Sequence, residues 1–160
     1  MIMKKRNLLL VVLFLSMVNM FAQEYDPQIN LGANAGISTK HTQVVVGLDG
    51  ELLFNVDANF KVGAATGLIF ATENNGVILP LALAGRFKAD TKFNLGLDLG
   101  FALPINNSSS SFYVRPMLEY QFSYRSRLKF SYSGLNSNGY LNLGIMFRFN
   151  HNRRTLSINY

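Results

Sequence analysis

Eight stretches of this chain alternate apolar and polar residues with a period of two, and between them they leave no segment free for a helix. The fifth is the clearest. Phe93, Leu95, Leu97, Leu99, Phe101 and Leu103 fall on one side, with Asn94, Gly96, Asp98, Gly100 and Ala102 on the other. A helix would scatter both sets around its circumference, whereas a strand sends them to opposite faces. The same reading predicts strands over 28–37, 43–56, 60–71, 78–88, 112–122, 127–133 and 140–149, the seventh being the shortest. Val45, Leu53 and Ile69 break the pattern as apolar residues on the polar side, and Pro80 weakens the ladder of the fourth strand because it has no N–H to donate. The clusters STKHT, VDAN, TENNG, ADTK, INNSSSS, YRSR and SGLNSNG separate the runs and read as turns. Strands recur about every sixteen residues, which allows roughly 9–11 residues per strand plus a connection. An even number of meandering strands can close on itself, and closure removes the two unpaired edges an open sheet would leave.

Ahead of the first strand, Lys4, Lys5 and Arg6 are followed by an apolar run from Leu8 to Val18 interrupted by Ser16, then by Ala22 and the polar Gln23 and Glu24. This is the pattern of a secretory signal peptide over residues 1–22, cut after Ala22. The run of about eleven residues is too short for a membrane-spanning helix, which needs about 20. The chain has fifteen Lys and Arg against nine Asp and Glu. Removing the three cations of the leader leaves twelve against nine, so +6 becomes +3. The remaining cations are dispersed and form no basic helix or stacking motif, which removes nucleic acid as a partner. Cysteine is absent, excluding disulfides, thiolate metal sites, cysteine nucleophiles and lipoprotein anchoring.

Alternation alone fits both a soluble barrel that carries an apolar ligand and a barrel that faces lipid. Two features favour lipid. Gly32, Gly36, Gly47, Gly63, Gly67, Gly96, Gly100 and Gly144 share the polar parity, where a narrow interior needs small side chains. Aromatic residues of the apolar parity gather at strand ends: Phe54, Phe60, Phe87, Phe93, Tyr120, Phe122, Phe147 and Phe149 at one set, Phe70, Phe101, Phe112 and Tyr132 at the other. That distribution predicts two interfacial girdles around an apolar band.

The last strand reads Asn142-Leu-Gly-Ile-Met-Phe-Arg-Phe149. With the leader and the alternation, it resembles the small outer-membrane β-barrels of Gram-negative bacteria, the group that includes the membrane domain of outer membrane protein A. The resemblance spans about residues 25–149. It implies an all-β, eight-stranded, antiparallel up-and-down transmembrane barrel over 23–149, in the bacterial outer membrane. It further implies export with periplasmic chaperones and recognition by the barrel assembly machinery through Asn142, Gly144, Phe147 and Phe149. Both termini would face the periplasm, making VDAN, ADTK and YRSR periplasmic turns and the Ser/Asn-rich clusters outer loops. Residues 150–160 depart from the family pattern, as a periplasmic tail or an extension of the last strand.

On the inward parity lie Asp49, Glu51, Lys61, Arg86, Lys88, Asp98, Arg115, Glu119, Lys129 and Arg148. Charges in so narrow a bore need partners, which predicts an internal network of Asp49, Glu51, Arg86, Asp98, Arg115, Glu119 and Arg148 that plugs the lumen. The other reading of these residues is a narrow porin-like path for small or apolar solutes. No catalytic constellation accompanies them. His41 falls in a predicted loop and His151 in the tail, and there is no phosphate loop, metal-ligand spacing or nucleophile elbow. The expected function is therefore non-enzymatic, without cofactor or metal: a structural, envelope-integrity or surface-interaction role in contact with outer-membrane lipid.

Overall fold

The computed structural model describes residues 27–40, 43–72, 76–105, 109–135 and 138–149. The predicted leader, the tail and both histidines lie outside these described residues. Eight strands run in chain order: β1 Gln28–Ser38, β2 Val44–Asn55, β3 Phe60–Ala71, β4 Gly76–Lys88, β5 Phe93–Pro104, β6 Ser111–Gln121, β7 Ser126–Leu135 and β8 Asn138–Phe149. Each pairs antiparallel with its neighbour in sequence, and β8 returns to β1 to close the barrel. That last seam runs from Ile29 opposite Phe149 to Ser38 opposite Tyr140.

Two of the eight ladders show local gaps, both at proline. Residue pairing between β3 and β4 stops at Thr66–Leu81 and resumes at Ile69–Ile78, with Pro80 between. Between β6 and β7 it stops at Val114–Gly134 and resumes at Met117–Ser131, around Pro116. A proline supplies no ladder donor, so each gap follows from its missing N–H. At the first gap the Thr66 hydroxyl donates to the Pro80 carbonyl at 3.0 Å. The short connections are closed by local hydrogen bonds. In the β2–β3 turn the Asp57 carboxylate accepts from the backbone amides of Asn59 and Phe60, at 2.7 Å each.

The barrel is apolar outside and polar inside. Leu31, Leu48, Leu83, Leu95, Leu97, Leu99, Phe101 and Leu143 are exposed on its outer surface, while Asn30, Asp49, Glu51, Arg86, Asp98, Arg115, Glu119 and Lys129 are buried in the bore. Water could not cover such a continuous apolar wall without a large free-energy penalty, whereas hydrocarbon covers it at none. A soluble carrier would need the opposite arrangement, with the bulky apolar set lining a cavity, so that alternative is excluded by the direction of the side chains. The three sequence exceptions explain themselves here. Val45, together with Ala102, Tyr113, Leu135 and Tyr140, forms an apolar layer inside the bore at the end carrying the β1–β2, β3–β4, β5–β6 and β7–β8 connections, with Ile69, Ala71, Ile78 and Ala82 packed against it. Leu53 packs with Ala65 and Ala84 on the β2–β4 wall.

Because Leu97 is exposed near the middle of β5, Leu97→Arg tests the outward face directly. In phospholipid vesicles the substitution is expected to destabilise the barrel by about 2–4 kcal/mol. The check is the denaturant midpoint of reversible unfolding in vesicles, compared with Leu97→Ile, which should leave it nearly unchanged.

Candidate functional site: a charge network filling the bore

An eight-stranded barrel has a bore about as wide as its own inward side chains. Charged residues on opposite walls therefore meet, however far apart they are in sequence. Arg86 on β4 donates from Nη2 to Glu51 Oε1 and from Nη1 to Asp98 Oδ1, each at 2.6 Å. Arg115 on β6 reaches Asp98 Oδ2 through Nη2 at 2.7 Å and through Nε at 2.9 Å, and its Nη1 extends to Asp49 on β2. Lys129 on β7 donates to the other Asp49 oxygen across the bore. Arg127 Nη1 donates to Glu119 Oε2 at 2.8 Å. Side-chain amides on β1 complete the set: Asn34 donates to Asp49 at 2.7 Å, Asn30 donates to Glu51 at 3.2 Å, and Gln28 donates to Asn30 at 2.8 Å.

Arg86 Nε also lies 3.9 Å from Glu119 Oε1, so four cations and four carboxylates share one buried lattice, with Asp49, Asp98 and Glu119 each serving two cations, Arg115 two carboxylates and Arg86 three. Guanidinium is suited to such bridging because its planar fork presents donors in two directions, where an ammonium is a single point charge. Local packing sets the pose. A Cβ on Gly96 would lie 3.0 Å from Arg86 Cδ, so glycine at that position leaves the space the Arg86 stem occupies.

Of the network residues expected from sequence, Asp49, Glu51, Arg86, Asp98, Arg115 and Glu119 come together. Arg148 does not join them. It is only half-buried, its guanidinium lies 5.8 Å from the centre of the Tyr124 ring, and no carboxylate among the described residues is within ion-pair distance. Its parity points it inward, but its position at the end of β8 places it beyond the level of the carboxylates. Arg127 is the opposite case. In the sequence it stands where the YRSR cluster meets the seventh strand, outside the expected network; β7 begins at Ser126 and Arg127 points inward, 3% exposed. Its shared parity with Lys129, Ser131 and Ser133 is the signal that identifies it.

The expected girdle and last-strand residues are also placed. Phe60 lies opposite Phe87, and Phe93 opposite Tyr120 with ring centres 5.2 Å apart, all on the outer surface at the end carrying the short turns. Phe122 follows β6 and is exposed, and Phe54 is half-buried. At the other end Phe101 and Phe112 meet edge to face at 6.4 Å. On β8, Asn142 and Gly144 point into the bore while Phe147 and Phe149 are exposed outside. Among the described residues no group of three His, Cys, Asp or Glu is arranged to hold a metal ion, and no helix is long and apolar enough to cross a membrane.

Removing Arg115 takes from Asp49 and from Asp98 one of the two cations that each one has. Arg115→Met is expected to cost about 3–5 kcal/mol, and Arg115→Lys less, since charge remains while the fork is lost. In a double-mutant cycle, adding Asp98→Asn to Arg115→Met should cost less than the sum of the two single changes. The measurement is equilibrium unfolding of the barrel in vesicles, and strict additivity would contradict the network.

No protein-family model matches this sequence, and no curated protein does. Solved structures do match its fold. A de novo designed transmembrane β-barrel aligns at a TM-score of 0.61 and 16% identity, covering 76% of this chain and 95% of the designed one. The N-terminal β-barrel domain of Pseudomonas aeruginosa OprF aligns at 0.56 and 16% identity, over 79% of this chain and all of that domain. Ail, the attachment invasion locus protein of Yersinia pestis, aligns at 0.55 and 14% identity, again over 79% of this chain and all of the other. The chain has the fold of the small eight-stranded outer-membrane β-barrels.

Proposed function

We propose that this chain is a non-enzymatic outer-membrane barrel protein with a closed bore, serving envelope integrity or surface interaction and not solute passage. The observation that carries this reading is the lumen itself. Its middle is occupied by the four-to-four lattice of buried charges, and one end is filled by the apolar layer around Val45, Tyr113 and Tyr140. An ion entering such a bore would have to break several charge-assisted hydrogen bonds at once and then cross a dry segment. The lumen carboxylates are occupied by cations, which leaves none poised as a free general base. Outer-membrane residence is supported by the apolar exterior, the aromatic ends and the likeness in fold to outer-membrane barrels.

Two experiments test the reading. In an isolated outer-membrane fraction the protein is expected to migrate differently before and after boiling on a denaturing gel, as a closed barrel resists unfolding by detergent alone. Recovery in the soluble fraction without a shift would contradict it. In planar bilayers the purified protein is expected to show no steady openings, and a stable conductance altered by Arg115→Met would favour transport instead.

For assembly, we propose that Asn142, Gly144, Phe147 and Phe149 are read by the assembly machinery. Phe147→Ala with Phe149→Ala should then lower the folded fraction reaching the membrane in cells well below that of a control with Phe101→Ala and Phe112→Ala. Refolding into vesicles should suffer similarly in both. Equal loss in cells would remove the proposed role of the last strand.

A further inference from the structure

The inward charges are not spread evenly along the bore. In the middle, Arg86, Arg115, Arg127 and Lys129 are matched by Asp49, Glu51, Asp98 and Glu119. The inward cations left over, Lys61, Lys88 and Arg148, all collect at the end carrying the short turns. There, with Arg127, they line a vestibule of about 460 Å³. The single carboxylate in that lining is Asp57, whose Oδ1 accepts from two backbone amides of its own turn. Lys61 donates to the neutral Gln28 side chain at 2.7 Å, and Arg148 lies against the Tyr124 ring. Among the described residues none of the three surplus cations has a carboxylate within ion-pair distance.

A second observation points the same way. Arg127 is 3% exposed and donates Nη1 to Glu119, yet its Nε and Nη2 have no hydrogen-bond partner, and neither does Arg148 Nε. Guanidinium donors that are buried without an acceptor have lost hydration with nothing in exchange. This end of the bore therefore combines surplus positive charge, unfilled space and unanswered donors.

We propose that the turn-end vestibule binds a soluble oxyanion of the phosphate class, inorganic phosphate or a phosphomonoester, through Lys61, Arg127 and Arg148, with Lys88 at the rim. A tetrahedral dianion offers acceptors to several converging donors at once, and the fork of Arg127 suits it. The lining consists of inward residues and turn residues, with none from the outer wall, so the pocket opens along the barrel axis and not toward surrounding lipid headgroups. The apolar layer at the opposite end makes it a blind pocket. The proposal concerns a binding site and holds whether or not the barrel has the envelope role above.

The test uses the mature chain refolded in zwitterionic, phosphate-free micelles and titrated with inorganic phosphate by calorimetry and by phosphorus NMR line width. Wild type should bind saturably at one site. Lys61→Gln and Arg148→Gln should each weaken binding about ten- to a hundredfold, with the heat-dependent gel shift unchanged. Arg127→Gln is avoided because it would also strand Glu119. Absence of saturable binding, or wild-type affinity in both variants, would overturn the proposal. Loss of phosphate binding in nanodiscs of anionic phospholipid, but not in zwitterionic ones, would assign the site to a lipid headgroup and overturn it as well.

Discussion

The width of the bore governs most of what this barrel does. With eight strands, the distance across the interior is about the length of two side chains reaching toward each other, so every inward residue is a potential neighbour of every other at its level. Lys129 and Asp49 are eighty positions apart and still form an ion pair. The same narrowness makes any unmatched charge expensive, because little water fits beside it. A wider barrel would tolerate charged walls facing a water column. This one pairs those in its middle, and pairing them fills the channel there.

Alternation was legible in the sequence because each residue has only two choices, in or out, and the chemistry of the two sides differs so sharply here. Leu95, Leu97 and Leu99 beside Gly96, Asp98 and Gly100 leave one reading. Even the exceptions were informative, since Val45 and Leu53 kept their inward parity and became apolar filling within the bore. Parity does not encode height along the axis, however. Height depends on the stagger of each strand against its neighbours, which is a property of the closed sheet and not of any one segment. This is why Arg148, with the correct parity, proves to lie at the mouth, and why Arg127, hidden in a turn-like YRSR cluster, proves to lie at the level of Glu119. The amides Asn30 and Asn34 were visible as inward polar residues, but nothing in sequence tied them to Glu51 and Asp49.

The two proline gaps show how the fold accommodates local faults. A missing ladder bond matters most where lipid prevents water from replacing it. At Pro80 the Thr66 hydroxyl supplies a donor to the proline's carbonyl from the neighbouring strand, and both gaps are flanked by continuous pairing on either side. The sheet thus loses register nowhere. The side chains beyond each gap still reach the face their parity assigns, which the charge lattice requires.

The distribution of charge around the barrel also bears on how it closes. The ion pairs are contributed by β2, β4, β5, β6 and β7, while inward positions along the β1–β8 seam are chiefly glycine and amide: Gly36 opposite Asn142, Asn34 opposite Gly144, and Gly32 opposite Met146. The seam therefore joins through its backbone ladder and close packing, with no ion pair across it among the described residues. A Cβ on Gly144 would crowd the Asn34 side chain, and one on Gly47 would lie 2.8 Å from Asn34 Oδ1, so glycines clear the space in which Asn34 turns toward Asp49. From its side of the seam β1 adds neutral donors to carboxylates that β4, β6 and β7 neutralise. The pairs of Asp49 with Arg115 and Lys129 join β2 to β6 and β7 across the bore, so the lattice is complete only in the closed barrel.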